Sequence, residues 1–216
     1  MNLPQKMIPS QALLILQEGN ARFTIGKREH PTEFLARARE TAEQGQRPIA
    51  TILSCSDSRV PLEIIFDQGI GDLFSIRIVG NVCRESQLGS IEFGISDAGT
   101  SLCVILGHTK CGAITAACTG NSVAANLHTL LADIRPAVER AEAVTGKTGE
   151  AIIEACCLEN IYLQMEVLFR KSAIVREYVR KGELAVVGAV YDIETGAVTF
   201  LAPHPRIALL TVEIAE

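Results

Sequence analysis

Short unbroken apolar runs alternate along this chain with longer stretches whose apolar residues recur three and four apart. Ile49 to Ser54, Leu73 to Val79 and Leu102 to Leu106 are runs of the first kind and predict buried strands. Pro61 to Phe66 and Leu88 to Ala98, lying between them, predict helices, and this βα rhythm argues a parallel sheet. Cys111 to Cys118 and Ala124 to Val144 read as helices, with Pro136 expected at a turn or kink. Ala151 to Arg180 reads as one long helical stretch. Leu184 to Tyr191 and Ala197 to Leu201 predict strands around Thr195-Gly196, an antiparallel hairpin. Near the start, Gln11 to Phe23 and Thr32 to Ala42 carry helical spacing on either side of His30-Pro31. Those two helices have no partner in their own neighbourhood, so they are expected to pack as an arm on another subunit. The fold class predicted is α/β: a mainly parallel four-stranded sheet with an antiparallel edge strand, helices on both faces and an N-terminal helical arm. Residues 1–45 form that arm and 46–216 the core of a single domain.

Composition narrows the function classes. The chain has 216 residues, 48% of them hydrophobic, and a mean hydropathy of +0.24, which suits a well-buried chain or one that covers more surface in an oligomer. A formal charge of −5 argues against nucleic-acid binding, which needs a basic face. No run approaches the length of a membrane span, and Met1 to Ser10 lacks the apolar segment of a secretory signal. Seven cysteines, an odd and irregularly spaced set in a chain too large to need stapling, read as reduced thiols in the cytoplasm.

The chemistry concentrates in two stretches. Cys55-Ser56-Asp57-Ser58-Arg59 follows the first predicted strand, and Gly107-His108-Thr109-Lys110-Cys111-Gly112 follows the third. Both fall at carboxyl ends of strands, where open α/β sheets place their sites. Cys55, His108 and Cys111 are the donor set of a catalytic zinc whose fourth position stays open. Two thiolates donate strongly and blunt the metal's acidity, so a group that accepts a hydrogen bond from the bound water helps. Asp57 is placed to accept it, or to take the fourth position itself. Arg59 can hold that carboxylate by a bidentate contact. Cys83, Cys103, Cys118, Cys156 and Cys157 read as small core residues, and His30, His128 and His204 lack partners at ligand spacing.

With CSDSRV, GDLFSIRIVGN and GHTKCGA in place, the chain resembles the β-class carbonic anhydrases, from Gly19-Asn20-Ala21-Arg22-Phe23 through Tyr191-Asp192-Ile193-Glu194-Thr195-Gly196. The resemblance implies one zinc per chain on Cys55, His108 and Cys111, with Asp57 and Arg59 as a catalytic dyad. It implies a homodimer or dimer of dimers with the cleft at the subunit interface. It also assigns substrate contacts: Gln46 at the place of a glutamine that hydrogen-bonds substrate, and Phe74 and Val79 as pocket wall. Phe93 stands where plant-like members have tyrosine, so a hydroxyl is missing and the wall is drier. Gly112, without a side chain at the opening of a helix, lets its backbone approach a ligand. A second group of members builds a bicarbonate pocket with a tryptophan where this chain has Ile52, and the chain has no tryptophan, which disfavours that version.

The function expected is reversible hydration of carbon dioxide to bicarbonate and a proton by attack of zinc-bound hydroxide. No histidine is assigned as proton shuttle. Two alternatives stand beside it: a hydrolase of CS2 or carbonyl sulfide on the same fold, and a non-catalytic zinc-binding module. The retained Asp57 and Arg59 count against the second.

Overall fold

A computed structural model describes residues 7–30, 34–120, 125–203 and 209–210. His204, Met1 to Lys6, and the first positions of the helices expected at Thr32 and Ala124 lie outside the described residues. The elements run α1 (Pro9–Thr24), α2 (Phe34–Gln44), β1 (Ala50–Ser54), α3 (Leu62–Ile65), β2 (Leu73–Arg77) and α4 (Glu85–Ser96). After them come β3 (Leu102–His108), α5 (Gly112–Thr119), α6 (Leu127–Thr145), α7 (Ile153–Lys171), α8 (Ala173–Arg180), β4 (Ala185–Tyr191) and β5 (Val198–Phe200).

Among the described residues the strands form one sheet in the order β2-β1-β3-β4-β5, parallel except for β5, which returns antiparallel to β4. The sheet matches the fold class expected. Every residue of β1 and β3 is buried, which explains their unbroken apolar runs: a central parallel strand is covered on both faces. Alternation sorts their side chains. Ile52, Val104 and Leu106 face a cluster with Ala12, Leu16 and Phe66, while Leu53, Cys103 and Ile105 face one with Ile91, Ile161 and Phe169. A third cluster, with Ile114, Ile134 and Ile152, lies under α5 and α6.

Three local expectations differ from the structure. First, α1 has a partner within its own chain. Ala12 and Leu16 are fully buried in the first of these clusters, and a side chain at Gly19 would strike the Phe66 carbonyl oxygen at 1.9 Å. Asn20 Nδ2 donates to the carbonyls of Ile65 (3.1 Å) and Gly196 (2.9 Å), and its Oδ1 accepts from Val198 N–H (2.8 Å). Second, the stretch to Arg180 is not one helix. Ser172 breaks it, its hydroxyl accepting the Val175 N–H at 3.1 Å as an N-cap to α8 and donating to Glu92 Oε1 at 2.6 Å. Third, α6 runs through Pro136 without a turn. Pro136 and Ala132, whose carbonyl loses its helical donor, both face solvent, where water can replace the missing bond.

Candidate metal centre

Cys55 stands one residue past the carboxyl end of β1, and His108 is the last residue of β3. The neighbouring strands β1 and β3 therefore deliver them side by side. Lys110, in the left-handed region at φ 55°, then turns the chain sharply so that Cys111 caps the start of α5. The ligand atoms of Cys55, His108 and Cys111 lie within 4.8 Å of one another, and all three residues are buried.

The donor chemistry fits a metal. His108 Nδ1 lies 2.9 Å from the Thr109 carbonyl oxygen; that contact makes Nδ1 the protonated nitrogen and leaves Nε2 a lone pair. Nε2 is buried without any hydrogen-bond partner. An orphaned imidazole nitrogen between two thiols is a cost unless a cation takes its lone pair. The sulfurs are prepared as well. Cys55 is pushed down, chiefly by a hydrogen bond from the Cys111 thiol, against burial, and with help from the N–H groups of Gly80 and Asp57. Cys111 is pushed up by the same thiol contact and by burial. Without a metal the pair shares a proton; a divalent cation removes that conflict by taking both thiolates. Elsewhere burial raises the thiols, Cys83 to about 12 and Cys157 to about 11.

Asp57 sits beside this cluster, its Oδ2 3.9 Å from His108 Nε2. Arg59 grips it at both oxygens, Nε to Oδ1 at 2.9 Å and Nη2 to Oδ2 at 2.7 Å, and the Arg59 N–H adds a third bond to Oδ1 at 3.0 Å. These bonds hold the Asp57 carboxyl well below the usual carboxylate range, against a smaller effect of burial. Arg59 is held in turn by the Lys110 carbonyl at 3.1 Å, so the pair bridges the two loops that carry the ligands.

The other expected site residues divide. Gly112 opens α5 beside Cys111, exposed, with open space where a side chain would stand. Val79 begins a short 3-10 turn, and the N–H of the next residue, Gly80, donates to Cys55 Sγ at 3.4 Å. Phe74 and Phe93 meet each other with ring centroids 5.8 Å apart, yet they do not gather at the cluster. Phe74 pairs with Thr51, four residues before Cys55, about 13 Å back along the strand at ~3.3 Å per residue. Gln46 lies farther back, exposed ahead of β1.

Three features went unread in the sequence. Arg77, at the end of β2, donates to the Cys55 and Asp57 carbonyls. The Gly80 N–H reaches a thiolate. Asn160 and Gln164, four apart on the buried face of α7, hold the turn that carries Gly80: Asn160 Nδ2 donates to Gly80 O at 3.0 Å, and Gln164 Nε2 to Asn160 Oδ1 at 3.0 Å. Two polar residues at core positions of an apolar helix were the available signal for that pair.

Fold and site together define a Cys2His metal centre at the carboxyl edge of a parallel α/β sheet. Residues 50–198 match the family model described as carbonic anhydrase, and the chain belongs to that family, in its β class. Carbonic anhydrase 2 of Mycobacterium tuberculosis is 34% identical over 188 residues, 87% of this chain and 90% of that one. The carbonic anhydrase of Mycolicibacterium smegmatis is 33% identical over 88% of this chain and 92% of its own. The crystal structure of the β-carbonic anhydrase CafA of Aspergillus fumigatus superposes with a TM-score of 0.72 at 29% identity, covering 93% of this chain and 94% of that one.

Proposed function

We propose that this protein catalyses reversible hydration of carbon dioxide to bicarbonate and a proton, with one zinc ion per chain held by Cys55, His108 and Cys111. The observation that carries the reading is the orphaned His108 Nε2 between two thiols, with a carboxylate beside it that Arg59 holds at both oxygens. Bound zinc would supply Lewis acidity that makes hydroxide available near neutral pH. The protein's part is then to orient. Asp57, kept ionised by Arg59, would accept a hydrogen bond from a water or hydroxide held beside the cluster and so orient it. A purely structural Cys2His site has no use for that arrangement.

The apolar wall comes, in this reading, from a second copy of the chain. Phe93 is 49% exposed and Val79 36%, and Phe74, Phe93 and Gln46 are remote from their own chain's cluster. A homodimer that sets the Phe74–Phe93 pair and Gln46 of one protomer over the cluster of its partner would complete the pocket, and dimers of dimers build on it. The seven free thiols, two of them ligands, support a reducing, cytoplasmic setting. No helix among the described residues is long and apolar enough to cross a membrane.

Elemental analysis tests the ligand set. Cys55→Ala, His108→Ala and Cys111→Ala each lose the metal, while Cys83→Ala keeps it and its activity. Stoichiometric zinc in Cys55→Ala overturns the assignment. Sulfide release from CS2 or carbonyl sulfide without CO2 hydration would move the reading to a hydrolase.

A further inference from the structure

The β1–β2 ladder ends at the pair Ser54 and Arg77, with a last backbone bond from Ile78 N–H to Ser54 O at 3.0 Å. Beyond it β2 gives way to the 3-10 turn at Val79–Asn81, and β1 to the loop that carries Cys55 and Asp57. The side chain of Arg77 takes over where the ladder stops. Its Nε donates to Cys55 O at 3.2 Å and its Nη2 to Asp57 O at 2.6 Å. Those carbonyls belong to the first thiol of the metal cluster and to the carboxylate beside it. A guanidinium offers two parallel N–H groups in a rigid plane, so gripping one carbonyl fixes the place of the other.

We infer that Arg77 is a positioning residue for the reaction: by bridging the Cys55 and Asp57 carbonyls, it fixes the loop so that Asp57 stays on Arg59 and off the metal's fourth position. The inference rests on the CO2-hydration reading above. Arg59 grips only the side chain of Asp57, and Arg59 is itself half-exposed. The backbone at Asp57 is otherwise tied by the Val60 N–H to its carbonyl and by its own N–H to the Cys55 sulfur, contacts that stay within the loop and do not reach a neighbouring strand. Oδ2 lies 3.9 Å from His108 Nε2, so a small rotation of the loop would bring the carboxylate into the coordination sphere. The fork from β2 blocks that rotation, because β2 is anchored in register along β1. Lysine in its place offers a single nitrogen on a flexible stem, without the rigid fork that fixes one carbonyl relative to the other.

The test uses the zinc-loaded full chain with Arg77→Gln and Arg77→Lys, both tolerable at an exposed strand end. Each variant should keep one zinc per chain and its KM, while kcat falls about tenfold or more in Arg77→Gln and several-fold in Arg77→Lys, the range seen when groups behind a metal ligand are removed. Hydrogen–deuterium exchange on the metal-free protein supplies an independent readout. Amides of Ser56 to Arg59 should exchange faster in both variants, with β3 unchanged. Wild-type kcat, or unaltered exchange in that segment, overturns the inference. Should Arg77→Gln not fold, wild-type kcat and exchange in Arg77→Lys overturn it equally. An inactive but zinc-loaded wild type would instead sink the functional reading, and the exchange data would still report on the fork.

Discussion

Asn160→Ala removes the residue that holds the Gly80 turn behind Cys55. Asn160 is fully buried, and the change deletes its bond to Gly80 O and the bond it accepts from Gln164 Nε2, both 3.0 Å, with a long contact to Asn81 Oδ1 at 3.5 Å. Losing the match of a buried group costs about 1–3 kcal/mol; Gly80 O loses its side-chain donor while Gln164 Nε2 keeps a long contact to Asp133 O at 3.5 Å, so the change costs about 3 kcal/mol in all. For a chain of this size that corresponds to a Tm lower by about 6–12 °C. The turn itself is demanding: Gly80 has φ 73° and Asn81 φ 44°, conformations that relax once the anchor is gone. The Gly80 N–H then no longer aims at Cys55 Sγ, and zinc should leave about tenfold faster or more, the usual effect of removing a partner of a metal ligand. Calorimetry at fixed chain concentration reads the first effect, since an oligomer's Tm depends on concentration. Zinc transfer to a chromogenic chelator reads the second. A Tm within about 2 °C of wild type, with unchanged zinc release, would refute the reasoning.

Arg59→Ala should keep its zinc and lose about 10²-fold or more in kcat, as for other positioned catalytic groups, because the freed Asp57 carboxylate can take the open position; near-wild-type stopped-flow rates would make the pair a structural ion pair only. Asp67 gives a pH test of the fold. Burial alone would raise its carboxyl, but bonds from the Glu29 N–H, Arg22 and the His30 N–H outweigh it and bring the group down to about 2. Its folded pKa is depressed, so its stabilisation is fully present above the unfolded value of about 4 and fades as pH falls towards 2. The Tm gap between wild type and Asp67→Asn should therefore close over that window, and a gap that persists at pH 2 contradicts the account. Sedimentation should find at least a homodimer at micromolar concentration, and a fully active monomer would contradict a pocket shared between copies.

The sheet and the metal cluster were legible in the sequence for related reasons. A strand covered on both faces, such as β1 or β3, must be apolar throughout, and whatever follows it abruptly in polar residues stands out. Cys55, Asp57, Arg59, His108 and Cys111 all lie within five residues of such a strand end. What stayed hidden depends on distance along the chain. Asn20 looks partnerless locally because Ile65 and Gly196 lie 45 and 176 residues away. Ser172 reads as one polar residue in a helical stretch until its hydroxyl is seen to cap α8. Arg77 reads as a charge at a strand end, and only the geometry of β1 shows two carbonyls within its reach. Gln46, Phe74 and Phe93 carried a role by resemblance alone, and a single chain gives no local reason for it.

The most direct measurement is stopped-flow CO2 hydration by the purified full chain, with zinc counted in the same sample and His108→Ala beside it. The account predicts one zinc per chain and hydration that climbs through the alkaline side of neutrality, with zinc and activity both lost in the variant. Stoichiometric zinc on Cys55, His108 and Cys111 with no hydration of CO2 at any pH would contradict it.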